Sequence, residues 1–293
     1  MLDPRTGSIY AGVAGVETEI EHFDLGEGIS IERTFGHFMA PFLMAFAPAP
    51  PGKAHPAPRS AVEGGLGLDF HVQLYVPAAF EIPGFYDRLN TVWWITALIR
   101  LHGAFLAHVP VIADRPFSEI PKATGRAMIL SVKALPRRAF AEPTVMRLSM
   151  DDLLWLKSIW REGGILMGKS SELNDAFQAF DSSGTLPSRS VAMLAIWGAL
   201  ERLFSPAEQE LRFRVSANIA SFLEQPGPER LALHRKLMKL YDARSEAAHG
   251  TSTDRKDAGS ETYEIANRVL VKILETRRVP SKESLDAALF APE

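Results

Sequence analysis

An arginine and a histidine close the stretch YDARSEAAHG, residues 241–250, in an Arg-x4-His spacing: Arg244 and His249. An imidazole titrates near neutrality and can take or give a proton there. A guanidinium keeps its charge and grips phosphate through two parallel hydrogen bonds. Together the two groups can bind a phosphodiester, stabilise the charge that builds on it and move a proton, with no step that requires a metal. Arg244 continues the row Leu233, Leu237 and Leu240, so it points toward neighbouring helices, where a charge needs a partner. Five residues along a regular helix turn the chain by ~500°, which leaves Arg244 and His249 ~140° apart. They converge if the helix ends or distorts between them, if the long arginine reaches round, or if two copies of the motif meet across a dimer. Gly250, directly after His249, suits an ending. The bland alternative is an arginine paired inside the bundle and a histidine at the negative end of a helix.

Other residue groups carry less. Residues 163–170, GGILMGKS, fit the phosphate-loop pattern Gly-x4-Gly-Lys-Ser, with Lys169 for phosphate and Ser170 for magnesium. That pattern needs a strand before it, and an amphipathic helical stretch stands there instead, so a glycine-rich helix connection is expected. His22, Asp24, Glu32 and His37 match no zinc spacing. His102 and His108 flank an apolar segment and are expected at its edge. Trp93 and Trp94 are expected in the core. Arg235, Lys236 and Lys239 form a basic run upstream of the Arg-x4-His pair; such runs are usually solvated, but this one could track an RNA backbone. No cofactor is expected.

The elements that must position these residues change character near residue 148. In the first half, Ile29 and Ile31 alternate with polar neighbours, and Leu68, Phe70, Val72, Leu74 and Val76 alternate with Asp69, His71, Gln73 and Tyr75, the period of a half-buried strand. Between them, residues 47–67 hold five prolines and read as a long loop. Residues 86–101 form a helix buried all round, and residues 108–112 and 128–132 form short strands. In the second half helical periodicity takes over. Helices are expected over 150–162, 171–180, 188–204, from the Ser-Pro-Ala-Glu box at 205–208 to about 223, 229–249, 261–276 and 281–290. Residues 251–260 are expected as a polar loop. The predicted class is α+β: a β-containing mixed domain over residues 1–148, then an all-α bundle over 149–293.

Composition narrows the function. The chain has 293 residues, 46% hydrophobic and 23% charged, which is ordinary for a globular protein and excludes disorder over most of it. The net charge of −3 excludes a polybasic coat, so any nucleic-acid contact must be local. With no cysteine, disulfides, thiolate metal sites and cysteine nucleophiles are excluded. The acidic first twenty residues are not a secretory signal, and Arg100, His102, His108 and Pro110 interrupt the longest apolar stretch, residues 91–113. A cytoplasmic location without membrane insertion is expected.

The succession LAIWGALERLFSP (194–206), LRFRVSANIASFLE (211–224) and KLYDARSEAAHG (239–250) resembles the Apea-like group of HEPN domains over roughly residues 150–290. The resemblance rests on Ala-Leu-Glu at 199–201, Tyr-x-x-Arg-Ser at 241–245 and the His249–Gly250 pair. It implies a helical bundle that dimerises, with the motifs meeting at the dimer interface. It implies metal-independent RNA cleavage by the ribose 2′-hydroxyl, leaving a 2′,3′-cyclic phosphate. His249 would then be the general acid or base, Arg244 the phosphate clamp, Ser245 a positioning group for either, and Glu201 the group orienting Arg244 or His249. It further implies a role in prokaryotic defence against phage or in growth arrest. Thr251 stands where HEPN toxins paired with a nucleotidyltransferase carry a tyrosine, so modification there is not implied. Some HEPN domains bind RNA or a protein partner without cutting, which is the alternative.

Overall fold

A computed structural model describes residues 7–39, 51–53, 67–122, 124, 128–132, 145–186, 188–205, 211–248 and 256–290. Strands β1 (Ile9–Ala14), β2 (Val16–Thr18), β3 (His22–Gly26), β4 (Ile29–Met39) and β5 (Gly67–Val76) come first. Helix α1 (Arg88–Leu101), β6 (His108–Ala113), a short 3-10 helix (Phe117–Lys122), β7 (Ile129–Ser131) and β8 (Met146–Leu148) follow. Six strands make one antiparallel sheet in the order β3-β4-β5-β1-β6-β7, while β2 and β8 pair in parallel beside it. The second half is helical: α2 (Met150–Lys169), α3 (Ser171–Ser183), α4 (Arg189–Phe204), α5 (Leu211–Leu223), α6 (Pro228–Ala248), α7 (Lys256–Thr276) and α8 (Lys282–Phe290). The α+β class, an N-terminal antiparallel sheet followed by helices, is therefore the architecture of the chain.

β1 lies in the middle of the sheet and is buried on both faces. Ile9, Ala11 and Val13 belong to the main core, whereas Ala14 joins Phe70, Val111, Ala113 and Phe117 in a small cluster on the other face. The alternation expected over residues 68–76 does not run through. Val72, Leu74 and Val76 enter the main core, but Phe70 goes to the second cluster, near a register irregularity between β4 and β5. The main core is continuous from the sheet through α1 and α2 into the bundle. Two indole N–H groups tie these layers. Trp94 on α1 donates to the carbonyl of Trp160 on α2 at 2.7 Å, and Trp160 donates to the carbonyl of Leu25 on β3 at 2.9 Å. Both indoles are buried, so each bond spares an N–H donor the cost of being left unpaired.

α2 begins as the sequence indicates: Ser149 caps it, and Asp152 returns a carboxylate to the cap backbone. It then runs seven residues past the expected end, straight through GGILMGK. This overturns both the phosphate loop and the glycine-rich connection. Residues 163–169 are helical and have no free backbone loop to cradle a phosphate, and Ser170 spends its hydroxyl capping α3 through Leu173. The glycines are there for contact. A Cβ on Gly163 would lie 3.1 Å from Leu274 and 3.2 Å from Trp94, and Gly164 faces the ring of Phe85 with no room for one.

The remaining helices match the expected ones closely. α7 is the exception, since it starts at Lys256 and takes up part of the expected polar loop. The box at 205–208 lies mostly outside the described residues, as do most of the proline-rich stretch 47–67, His249 and Gly250. The apolar stretch 91–113 resolves into α1 and β6, and among the described residues no helix is long and apolar enough to cross a membrane.

Candidate functional site

The site is built where α4 meets α6. On α4, Trp197 and Glu201 stand four residues apart and share a face; on α6, Tyr241 and Arg244 stand three apart and do the same. The two faces meet. Arg244 Nη2 lies 3.2 Å from Glu201 Oε1 and 3.3 Å from Oε2, and the Tyr241 hydroxyl donates to Glu201 Oε1 at 2.9 Å. The guanidinium also rides over the Tyr241 ring, 5.4 Å from its centre. Behind it the buried Trp197 ring meets Tyr241 edge-on at 5.1 Å.

This arrangement holds Arg244 in place from two sides while leaving it within reach of solvent: its side chain is 27% exposed and that of Glu201 19%. Arg244 Nε is buried and has no hydrogen-bond partner among the described residues; the same holds for Trp197 Nε1. An unsatisfied guanidinium N–H is costly to keep in a folded chain. Burial, reinforced by the hydrogen bond to Glu201, pushes the Tyr241 phenol up to about 12, so it stays a neutral donor across the physiological range. Chemically the cluster offers a pre-positioned, always-charged fork, held by a carboxylate that also accepts from a phenol.

The other predicted site residues distribute as follows. Ser245 is half-buried on the next position of α6, and no hydrogen bond joins it to Arg244 or Glu201 among the described residues. His249 lies outside the described residues, directly after the last residue of α6. Lys236 is engaged by Glu261 of α7 at 3.3 Å. Arg235 and Lys239 are exposed. Nine residues separate Arg235 from Arg244, about 180° around a regular helix, and five separate Lys239 from it, about 140°. Arg235 and Lys239 thus lie on a different side of α6 from the Arg244–Glu201 pair, whereas Lys236, ~80° round from Arg244, is turned to Glu261. Tyr241 and Trp197 belong to the cluster although neither stood among the predicted site residues; their i,i+3 and i,i+4 spacing to Arg244 and Glu201 is the signal that finds them.

Among the described residues, the histidines and acids of the first half do not gather. His22 faces Glu32 at 3.4 Å, His37 pairs with Asp69 at 2.6 Å at the far end of β4, and Asp24 meets Lys157 at 3.6 Å. His102 stacks on Trp155 with ring centres 4.1 Å apart and binds Asp152 at 2.7 Å, and His108 contacts the Leu106 carbonyl at 2.8 Å. Among the described residues no group of three or more such side chains is disposed to hold a metal. Compared with protein-family models, with curated proteins and with solved structures, the chain matches none.

Proposed function

We propose that the chain is a metal-independent endoribonuclease of the HEPN type, with Arg244 as phosphate clamp and His249 as proton carrier. The observation that supports this reading best is the held, part-exposed guanidinium of Arg244. Glu201 and Tyr241 fix it five residues before the histidine, at the end of α6.

The reaction this set suits is internal transesterification. The ribose 2′-oxygen attacks phosphorus, the bond to the 5′-oxygen breaks, and a 2′,3′-cyclic phosphate and a free 5′-hydroxyl result. One proton leaves the 2′-hydroxyl and one reaches the departing oxygen. His249 carries one of these transfers, and its counterpart in a second copy of the chain carries the other. Arg244 stabilises the charge on the non-bridging oxygens, and it is ready to do so because Glu201 limits its rotamers before substrate arrives. Ser245 positions the histidine or the phosphate. A homodimer that joins the two motifs, and a role in prokaryotic defence or growth arrest, belong to the same reading.

A binding-only module for RNA or a protein partner is the second reading. It is favoured by one feature: both oxygens of Glu201 already engage Arg244, so the guanidinium has a structural partner without any substrate. The test is direct. Incubation of structured and single-stranded RNA with the full chain in excess chelator is expected to give 2′,3′-cyclic phosphate ends. Arg244→Ala and His249→Ala should each lower the rate by roughly 100-fold or more. RNA that is bound but keeps its original ends would leave the module reading standing; cleavage that needs magnesium and survives both substitutions would remove Arg244 and His249 from the chemistry.

A further inference from the structure

A separate groove lies on the opposite side of α3 from the α4 contact, between α1 and α3, with a cavity of about 180 Å³. Its floor is apolar and aromatic. Trp94 and Phe177 pack there with ring centres 5.0 Å apart, and Trp94 spends its N–H on Trp160. Trp93, one residue earlier on α1, differs from Trp94. It is only half-buried, it pairs with no other ring among the described residues, and its indole N–H has no acceptor there.

Across the groove, α3 presents two amides one turn apart. Gln178 Nε2 donates to Asn174 Oδ1 at 3.2 Å. That bond uses one donor hydrogen of Gln178 and one acceptor of Asn174; it leaves the acceptor Gln178 Oε1 and the donor hydrogens of Asn174 Nδ2, on residues one turn apart, with no partner among the described residues. The far end is closed by charge that is already satisfied. Arg100 Nε and Nη2 each reach Asp181 at 2.6 Å, and Nη1 reaches the Ala107 carbonyl at 2.9 Å. No net charge faces the groove from this end.

We propose that this groove binds a nucleobase. A ligand that fits must be flat, to lie along Trp93 over an aromatic floor. It must be neutral, because the Arg100–Asp181 pair that lines the groove is closed on itself. It must also show adjacent donor and acceptor atoms on one edge, to meet Gln178 and Asn174. Nucleobases combine these three properties, and their faces stack on aromatic side chains. The cavity is smaller than the ~300–1,000 Å³ of pockets for larger organic ligands, and it suits a single heterocycle. The base can come from a free nucleoside or from a single strand of nucleic acid. The inference stands apart from the ribonuclease reading, because it concerns binding at a different pair of helices and is read without cleavage.

The test uses the full chain. Adenosine, guanosine, cytidine and uridine are titrated by calorimetry, and a fluorescent 2′-O-methylated single strand, which has no free 2′-hydroxyl to attack, by anisotropy. Saturable binding of at least one probe is expected, weakened roughly tenfold or more by Trp93→Leu and severalfold by Asn174→Leu and by Gln178→Leu. Binding of a nucleoside marks a free base as the source; binding of the strand alone marks a base within a chain. Gln178 is exposed, so Gln178→Leu should keep the thermal midpoint of the parent and separate loss of contact from loss of fold. Absence of saturable binding by all five probes, or an affinity that none of the three substitutions changes, overturns the proposal.

Discussion

A Cβ built on Gly164 would stand 2.0 Å from Cε2 of the Phe85 ring. No real side chain tolerates that distance, and Phe85 has little freedom to withdraw, since its ring meets Trp160 edge-on at 5.8 Å and Tyr86 at 5.2 Å. Gly164→Ala is therefore expected to destabilise the chain by about 1–3 kcal/mol or more, despite the gain in helix propensity. Lys169→Ala, at the exposed end of α2, is expected to change stability by less than about 0.5 kcal/mol. Urea denaturation of both variants checks the pair of outcomes. Equal stability of Gly164→Ala and the parent would mean that helix and ring do not pack this closely.

Glu201 accepts from two α6 donors at once. Its removal in Glu201→Ala leaves the Tyr241 hydroxyl and the Arg244 guanidinium without their acceptor, at an expected cost of about 1–3 kcal/mol. Tyr241→Phe removes one bond and keeps the ring, and should cost about 0.5–1.5 kcal/mol. Because both substitutions break the same Tyr241–Glu201 hydrogen bond, the double variant should lose clearly less than the sum. Denaturation measured around this double-mutant cycle gives the coupling. Strict additivity would show that the hydrogen bond contributes nothing in solution.

Two phenols predict the alkaline behaviour. Tyr241 is pushed up to about 12 by burial and by its bond to Glu201, and Tyr10 to about 12 by burial and the neighbouring Tyr75. Between the ordinary tyrosine value near 10 and about 12, the folded chain holds protons that the unfolded chain releases. The native state then binds more protons, so stability falls as pH rises through that window. Urea midpoints measured from about pH 9 to about pH 12 should decline, and Tyr241→Phe should flatten the decline.

Asp152 sets the acid side at the start of α2. Burial works against its charge, but the hydrogen bonds from Ser149 and His102 outweigh it and hold the carboxyl below its ordinary value. Its contribution is present above the ordinary aspartate pKa and is lost as pH falls through the lowered one. Asp152→Asn should therefore lessen the loss of stability on acidification, while costing about 0.5–2 kcal/mol near neutrality through the weakened cap. Acid titrations followed by circular dichroism compare the two slopes.

The sequence made the helices legible because their rows and caps are local signals. Leu233, Leu237, Leu240 and Arg244 lie along one side of α6, and that row already required a partner for the arginine, which is Glu201. Other parts of the chain depend on neighbours that no local pattern names. Gly163 and Gly164 suggest a break when read alone, yet the rings of Trp94 and Phe85 make them contact points inside a helix. β1 escapes notice because both of its faces are covered, which erases the alternation that marks a strand. Asn174 and Gln178 look like ordinary surface residues until α1 sets Trp93 opposite them.

The parallel pairing of β2 with β8 joins Val16 to Met146 and Thr18 to Leu148, and the Thr18 hydroxyl donates to the Leu148 carbonyl at 3.1 Å. During synthesis β2 must therefore wait for chain made much later, and closing so long a loop slows folding. A nascent chain arrested before Met146 should be cut readily by protease within Val16–Thr18, and one extended past α2 should resist. Synthesis thus leaves a place beside the large sheet open from the moment β2 emerges, and only the strand that leads into α2 can fill it.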